Sequence, residues 1–395
     1  MYKGLIGKVS LSLIGLAILA EVLAVFRPLP ALRPNGQLSI QIPAQTVTLA
    51  WPSTGQSALG AQGFGLLASN GAQSPAPIAS VAKVITALAV LKQHPLLPNQ
   101  QGPVITLGQV DVDNYQTALG EDGSVVPVAV GEQISERQAL EAMLLPSANN
   151  MATSLAEWAF GSLDSYTNFA NSYVKTLGLK QTTISDASGF SPSTVSTAND
   201  LVALALAAMA NPTLAAIVGE TQATVPVAGT VQNTNWLIGT NGIVGIKTGN
   251  TDQAGGCFMF AARHNLFGQS VLIVGVVMNA PTLSQAIDQA NTLVLSADSG
   301  FSLRQPVLEN QVVGTYTSSW GAKVNAISGT GLSVLTWKGQ AMSVSARLNK
   351  LASNAKKSTP VGTITAKSNK RLMTTTAISQ IAVGEPSLSW RLLHP

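Results

Sequence analysis

Two side chains in the segment PIASVAKVITALAVL, Pro77 to Leu91, have types and spacing that could do chemistry together: Ser80 and Lys83. They are i and i+3, so a helix puts both on one face within reach of each other. The pattern predicts a helix from Ile78 to about Gln93 that stops at His94-Pro95. Ser80 falls in its first turn, where free backbone N–H groups and the positive helix end favour a developing oxyanion. A serine hydroxyl is a weak nucleophile and needs a base beside it. Lys83 serves as that base only if its pKa is lowered, by desolvation or by a second cation. Its neighbours Val81, Ala82, Val84 and Ile85 are apolar, which suits desolvation. Taken alone, the pair reads more readily as a helix-capping serine with a surface lysine, because S-x-x-K recurs by chance.

Two distant stretches change that balance. PSANNMA holds Ser147 and Asn149 at a helix break, where a loop can present a hydroxyl and an amide together. GIKTGNT holds Lys247, Thr248, Gly249 and Asn250 at the end of a strand. There an ammonium, a hydroxyl and a residue without a side chain let an extended peptide lie along the sheet edge. Each has a bland reading, a helix cap in the first case and a surface turn in the second. In this order they make the set S-x-x-K, S-x-N, K-T-G of penicillin-recognising serine enzymes. The steps are 67 residues from Ser80 to Ser147 and 100 from Ser147 to Lys247.

On these motifs the chain resembles the D-alanyl-D-alanine carboxypeptidases, the low-molecular-mass penicillin-binding proteins. KTGNTDQAGGCFMFAA resembles that family's K-T-G-x-T-x-x-A-G-x-C stretch, and NTNWLIGTNGIVGIKTG the strand leading into it. LGLKQTTISDASGFSPSTVSTANDLVALA is similar to a further family segment, and STPVGTITAK to its C-terminal β domain. The resemblance implies an α/β (α+β) fold of the β-lactamase/penicillin-binding-protein type. An antiparallel sheet flanked by helices, plus a helical lobe, would precede a smaller C-terminal all-β domain. It implies acyl transfer on a peptidoglycan stem peptide ending in D-Ala-D-Ala, with β-lactam antibiotics acylating the same serine. Ser80 would be the nucleophile and Lys83 its general base, with Ser147 and Asn149 relaying protons and holding the substrate amide. Lys247 and Thr248 would bind the terminal carboxylate beside Gly249. The backbone N–H groups of Ser80 and Asn250 would form the oxyanion hole. Asn150 stands where the family more often has an acid, which puts any ion pair at that point in doubt.

Other readings of the same motifs are a β-lactamase and a non-catalytic penicillin-recognising or sensor domain. A class A β-lactamase needs a glutamate after the second motif. Between Ser162 and Thr197 the only acids are Asp164 and Asp186, so fast β-lactam turnover is disfavoured. One N-terminal apolar segment and no multi-span region disfavour a sensor. No histidine lies near a motif and there is no G-x-S-x-G elbow, so a Ser–His–Asp hydrolase is poorer still.

The positioning elements follow from pattern. TVTLAW and ALGAQGFGLLA read as short strands. Residues 103–134 read as irregular or β, with Asp111, Asp113, Glu121 and Asp122 as a solvated acidic loop. Ser135 with Gln138 is a capping box opening a helix that ends at Leu145-Pro146. Further helices run from about Asn150 to Phe160, from Asp164 to Gly178 and from Asp200 to Ala210. TVPVAG, NWLIG, GIVGIKTG, GGCFMFAARH and SVLIVGVVMNA then read as successive strands, closed by a helix over 281–297. The expected division is an anchor or signal segment 1–27, a Pro-rich linker 28–44, a catalytic domain 45–300 and a β-rich domain 304–395.

The chain has 395 residues, 46% hydrophobic and 10% charged, against roughly 25% charged in an average protein. This suits an exported or cell-surface protein. A net charge of +4 with no basic run interleaved with aromatics gives nucleic-acid binding little support. A single cysteine, Cys257, rules out an intrachain disulfide framework, and it reads as a packing residue. Scattered His94, His264 and His394 speak against a His-based metal site, so neither metal nor cofactor is expected. Arg263 has a surface role as its default, and Trp236 and Trp320 read as packing residues. Lys3 and Lys8 precede the apolar run Val9 to Phe26, which contains Glu21. The run fits an uncleaved membrane anchor or a cleaved secretory signal. Either places the remainder outside the cytoplasm.

Overall fold

The computed structural model describes residues 2–369 and 371–394. Side chains are described from residue 13 onward, so those of Lys3 and Lys8 lie outside it. The chain forms two compact units, one of residues 46–302 with 337–339, the other of 1–45, 303–336 and 340–395.

The first unit is built on a five-stranded antiparallel sheet. Its strand order is Ile243–Thr251, Gly255–Leu266, Gln269–Ala280, Gln56–Ala61, Gly65–Asn70. The central strands are nearly continuous apolar runs because both faces are covered. Helices Ala198–Ala210 and Leu283–Ala297 bury apolar residues against these strands. Ile243–Thr251 pairs on one side only and is the edge strand. TVTLAW joins no strand, and NWLIG is a turn rather than a strand. Gln222–Val225 and Gly229–Gln232 form a separate two-stranded ribbon.

The helical lobe contains Glu136–Leu144, Asn149–Phe160 and Leu163–Thr176. The Ser135–Gln138 capping box is present. Residues 103–134 depart from the irregular or β reading, since Gln109–Gly120 is a helix. It carries no apolar stripe, and Ala118 is its one buried residue. Asp111 caps it through Gly108 N–H, and Asn114 Nδ2 donates to Glu157 Oε2. Asp111 and Asp113 thus sit on a helix, not in a loop.

Asn150 explains its own departure from an acid. Its Oδ1 accepts from Val126 N–H at 3.1 Å and its Nδ2 donates to Val126 C=O at 2.9 Å, both buried. A carboxylate could accept the first bond but not donate the second.

The helix that carries Ser80 begins as a 3₁₀ turn, Ala79–Ala82, and continues as α-helix over Lys83–Gln93. Every residue from Lys83 to Leu91 is buried, so the helix is enclosed on all sides rather than amphipathic.

The second unit is a seven-stranded antiparallel sheet. Its order is Arg33–Gln37, Val312–Thr317, Lys323–Ser328, Arg371–Ser379, Pro360–Ser368, Met342–Leu348, Ser39–Ile42. The expected Pro-rich linker therefore carries both edge strands. Leu38 joins them, donating its N–H to Val313 O and accepting at its C=O from Ala346 N–H. One residue closes the sheet on itself, leaving the ladder no long free edge. Pro34 is tolerated because it lies in the terminal strand. Leu32, Tyr316, Val324, Val344 and Ile364 fill the interior.

Among the described residues no single helix is long and apolar enough to cross a membrane, and the apolar part is Leu13–Phe26.

Replacing Asn150 with Ala strips Val126 of both partners, and each buried unpaired group costs about 1–3 kcal/mol. At about 2–4 °C per kcal/mol for a unit of this size, the variant is expected to melt several degrees below wild type. Asn150→Asp is also expected to melt below wild type at neutral pH. Unchanged melting by circular dichroism for both would remove this role.

Candidate active site

Three elements converge on Lys83. The helix start supplies Ser80 and Lys83, the lobe supplies Asn149, and the loop 186–194 supplies a backbone carbonyl. Lys83 Nζ lies 2.8 Å from Ser80 Oγ, 2.7 Å from Asn149 Oδ1 and 3.0 Å from Ser188 O. Asn149 Oδ1 and the Ser188 carbonyl can only accept. A neutral amine has two N–H bonds and one lone pair. Those two acceptors take the N–H bonds, and the lone pair is left for the Ser80 hydroxyl proton. The geometry thus suits the base form.

Electrostatics act in the same direction. Lys83 is fully buried, and its pKa is pushed well below 10.5 by that burial and then by the neighbouring Lys247 ammonium. Asp186 opposes the shift. Lys247 is also buried, and loss of solvent lowers it to about 7. Its ammonium donates to Thr248 O at 3.2 Å.

The edge strand reaches Ser80 through Gly249. A Cβ there would stand 3.0 Å from Ser80 N and 3.1 Å from Ala79 Cβ. Glycine therefore lets the strand lie against the Ser80 amide. Ala79, just before Ser80, holds a positive φ of 46°. The loop glycine Gly189 has φ +79° and its Cβ would stand 1.9 Å from Ala79 O, so only glycine fits there. Asn250 is exposed at the end of the edge strand, one residue beyond Gly249.

Ser147 is buried with φ +69° at the turn between the lobe helices. Among the described residues no hydrogen bond ties its hydroxyl to Lys83 or Ser80. Asn149 is fixed from behind, its N–H donating to Ser124 O at 2.7 Å. The structure therefore joins Ser80, Lys83 and Asn149 directly, sets Gly249 against Ser80, and buries Lys247 within electrostatic range.

Several supporting residues escaped the sequence reading. Thr248 Oγ1 lies 2.6 Å from Thr234 Oγ1, and Thr234 N–H donates to Leu145 O. Thr234 thereby links the strand motif to the end of the lobe helix just before Ser147. Thr86 Oγ1 donates to Ala187 O, so Tyr166 O–H donates to Thr86 and braces the loop that carries Ser188. Asp186 is spent on that loop: Oδ2 accepts from Ser188 N–H, Ser188 Oγ and Phe190 N–H, and Oδ1 from Thr194 Oγ1. These four bonds commit Asp186 to ordering the loop. Trp236 is 55% exposed, not a packing residue as expected, and stands two residues from Thr234. Arg263 is exposed on its strand, and Cys257 is buried.

A family model described as D-alanyl-D-alanine carboxypeptidase matches residues 61–282, which span all three motifs. The chain belongs to this family. Among curated members of this carboxypeptidase family, it is 33% identical to the D-alanyl-D-alanine carboxypeptidase DacB2 of Mycobacterium tuberculosis over 272 residues, 66% of this chain and 83% of that one. It is 23% identical to DacF of Bacillus subtilis, covering 67% of each chain. It is 32% identical to the D-alanyl-D-alanine endopeptidase of Pseudomonas aeruginosa, covering 48% of this chain and 60% of the relative. In fold it is similar to penicillin binding protein 5 of Haemophilus influenzae, with a TM-score of 0.59 at 19% identity, covering 87% of this chain and 100% of that one. The Streptomyces K15 DD-transpeptidase gives 0.55 at 23% identity, covering 65% of this chain and 98% of that one. These structural likenesses concern the fold.

Burial of Lys247 has a thermodynamic signature. Its pKa is about 7 in the folded protein and 10.5 in the free side chain. Between those values the unfolded chain binds more protons, so this group makes stability rise with pH across that window. Below about pH 7 the penalty of the buried ammonium is complete. Lys247→Met is therefore expected to unfold at higher denaturant than wild type at pH 7, with the gap shrinking towards pH 10. A gap that widens with pH contradicts the burial account.

Proposed function

We propose that this chain removes the terminal D-Ala from peptidoglycan stem peptides through an acyl-enzyme on Ser80, and that β-lactams acylate the same oxygen. The carrying observation is Lys83 Nζ, buried and bonded at once to Ser80 Oγ, Asn149 Oδ1 and Ser188 O.

The substrate lies extended along the edge strand Ile243–Thr251, adding its backbone to a free sheet edge. Its terminal carboxylate meets Lys247 and Thr248, and this charge holds the Lys247 ammonium protonated. Neutral Lys83 takes the Ser80 hydroxyl proton as Oγ attacks the carbonyl carbon of the penultimate D-Ala. The tetrahedral oxyanion accepts from the backbone N–H groups of Ser80 and Asn250. Such a donor is worth about 3–4 kcal/mol. The proton passes by way of Ser147 to the departing amine nitrogen, the C–N bond breaks and D-Ala leaves. Water then attacks the ester with Lys83 again as base, which frees Ser80 and the shortened peptide.

The setting is extracytoplasmic, with the N-terminal helix Tyr2–Phe26 holding the protein to the membrane. Leu13, Leu16, Leu19, Leu23 and Phe26 on that helix are all exposed, which supports a lipid environment.

Mass spectrometry with a fluorescent penicillin, beside D-Ala release from a D-Ala-D-Ala peptide, tests the assignment. Wild type is expected to gain one adduct and to release D-Ala, and Ser80→Ala to do neither. Lys83→Met is expected to slow acylation by about 10²–10⁴-fold. An adduct that survives Ser80→Ala overturns the nucleophile. Labelling without D-Ala release points to a sensor, and rapid nitrocefin turnover to a β-lactamase.

A further inference from the structure

The N-terminal helix ends at a charged cavity within the second unit. The cavity holds about 670 Å³, and its lining includes Phe26, Arg27, Ser353, Lys356, Glu385 and Arg391. Three cationic side chains thus face a single carboxylate. Among the described residues no ion pair joins Glu385 to any of the three.

Two of the cations are held in place. Arg391, on the short C-terminal helix Leu388–Leu393, donates from Nη1 to Val25 O at 2.6 Å. That satisfies one of the orphan carbonyls at the end of the N-terminal helix. Arg27 stands 5.4 Å over the Trp390 ring. Trp390 in turn packs edge-to-face on Trp320 at 5.7 Å and stacks on His394 at 4.7 Å. Trp320 Nε1 donates to Gly384 O. Lys356 brings the third charge on the other wall, with no hydrogen bond from its Nζ among the described residues.

The surroundings are apolar on the side of the helix. Leu13, Leu23 and Phe26 are 63%, 63% and 81% exposed, and Leu388 and Leu393 of the C-terminal helix 62% and 76%. The exposed apolar helix thus ends beside a tryptophan, Trp390, and basic side chains, residue types that gather at membrane–water boundaries. Indole rings favour the boundary, and arginine or lysine reach the phosphates. A cavity among cations held by a carbonyl and an aromatic face is already shaped for an anion. A phosphate group supplies the negative charge that Glu385 alone does not.

We propose that this cavity binds the phosphate headgroup of an anionic glycerophospholipid. This rests on the membrane reading of the N-terminal helix and adds a lipid preference to it. Lys356 and Glu385 are the discriminating side chains, because neither holds the two helices together.

The test uses the full chain with vesicles of phosphatidylcholine, with and without phosphatidylglycerol. Flotation reads attachment, and native mass spectrometry after release from nanodiscs of the same lipids reads retained lipid. Wild type is expected to retain phosphatidylglycerol over phosphatidylcholine, less so at high salt. Lys356→Glu is expected to lower that retention about fivefold or more, on the scale of one basic residue at an anionic surface. Glu385→Gln is expected to raise it. Both variants should label with penicillin like wild type. Flotation with both vesicle types, but no lipid preference or no effect of Lys356→Glu, overturns the cavity proposal and leaves the anchor standing. Failure to float with either vesicle overturns the anchor reading and the cavity proposal with it.

Discussion

In the proposed mechanism everything at this site depends on holding a lysine amine out of water. A free ammonium at neutral pH has no lone pair to offer, so Lys83 is a base only while its surroundings disfavour the charge. Burial supplies the larger part of that pressure and the Lys247 ammonium the next. An unpaired buried amine would be expensive, yet Lys83 has three partners, two of which can only accept. The deprotonated amine therefore stays fully bonded while keeping its lone pair towards Ser80.

The rest of the catalytic unit can be read as support for that one group. The helix of the proposed nucleophile is enclosed on every side, which desolvates Lys83 but leaves Ser80 only partly buried at its start. The helical lobe sets Asn149 and the 186–194 loop sets Ser188 O, each from a different direction. Asp186 is the compromise. Its carboxylate orders the loop that brings Ser188 O to Lys83, and the same charge favours the ammonium form. Engaging it in four hydrogen bonds leaves the loop ordered and limits what the charge can do elsewhere. Placing Ile243–Thr251 at the sheet edge leaves its backbone free for a peptide, and Gly249 lets that edge approach Ser80.

Much of this was legible in the sequence, for physical reasons that differ by residue. Ser80 and Lys83 are visible because i and i+3 share a helix face, and the apolar neighbours of Lys83 foretell its burial. Lys247 and Gly249 are visible because K-T-G follows S-x-x-K and S-x-N in that order. What stayed hidden was either backbone or context. The Ser188 carbonyl has no side-chain signature at all. Thr234 and Tyr166 are ordinary until the fold brings them to Thr248 and Thr86. Helix Gln109–Gly120 was unreadable by periodicity because it buries only Ala118 and depends on a cap and a cross-helix bond. The Pro-rich stretch around Pro34 read as a linker because proline breaks a central strand, whereas a terminal strand accepts it.

The most direct measurement of the central claim is the titration of Lys83 itself, followed at its ε-carbon by NMR and assigned by loss of the signal in Lys83→Met. The account predicts a midpoint well below the ordinary lysine value of 10.5, rising when Lys247→Met removes the second ammonium. A Lys83 that titrates at the ordinary value, or that ignores Lys247→Met, would contradict it.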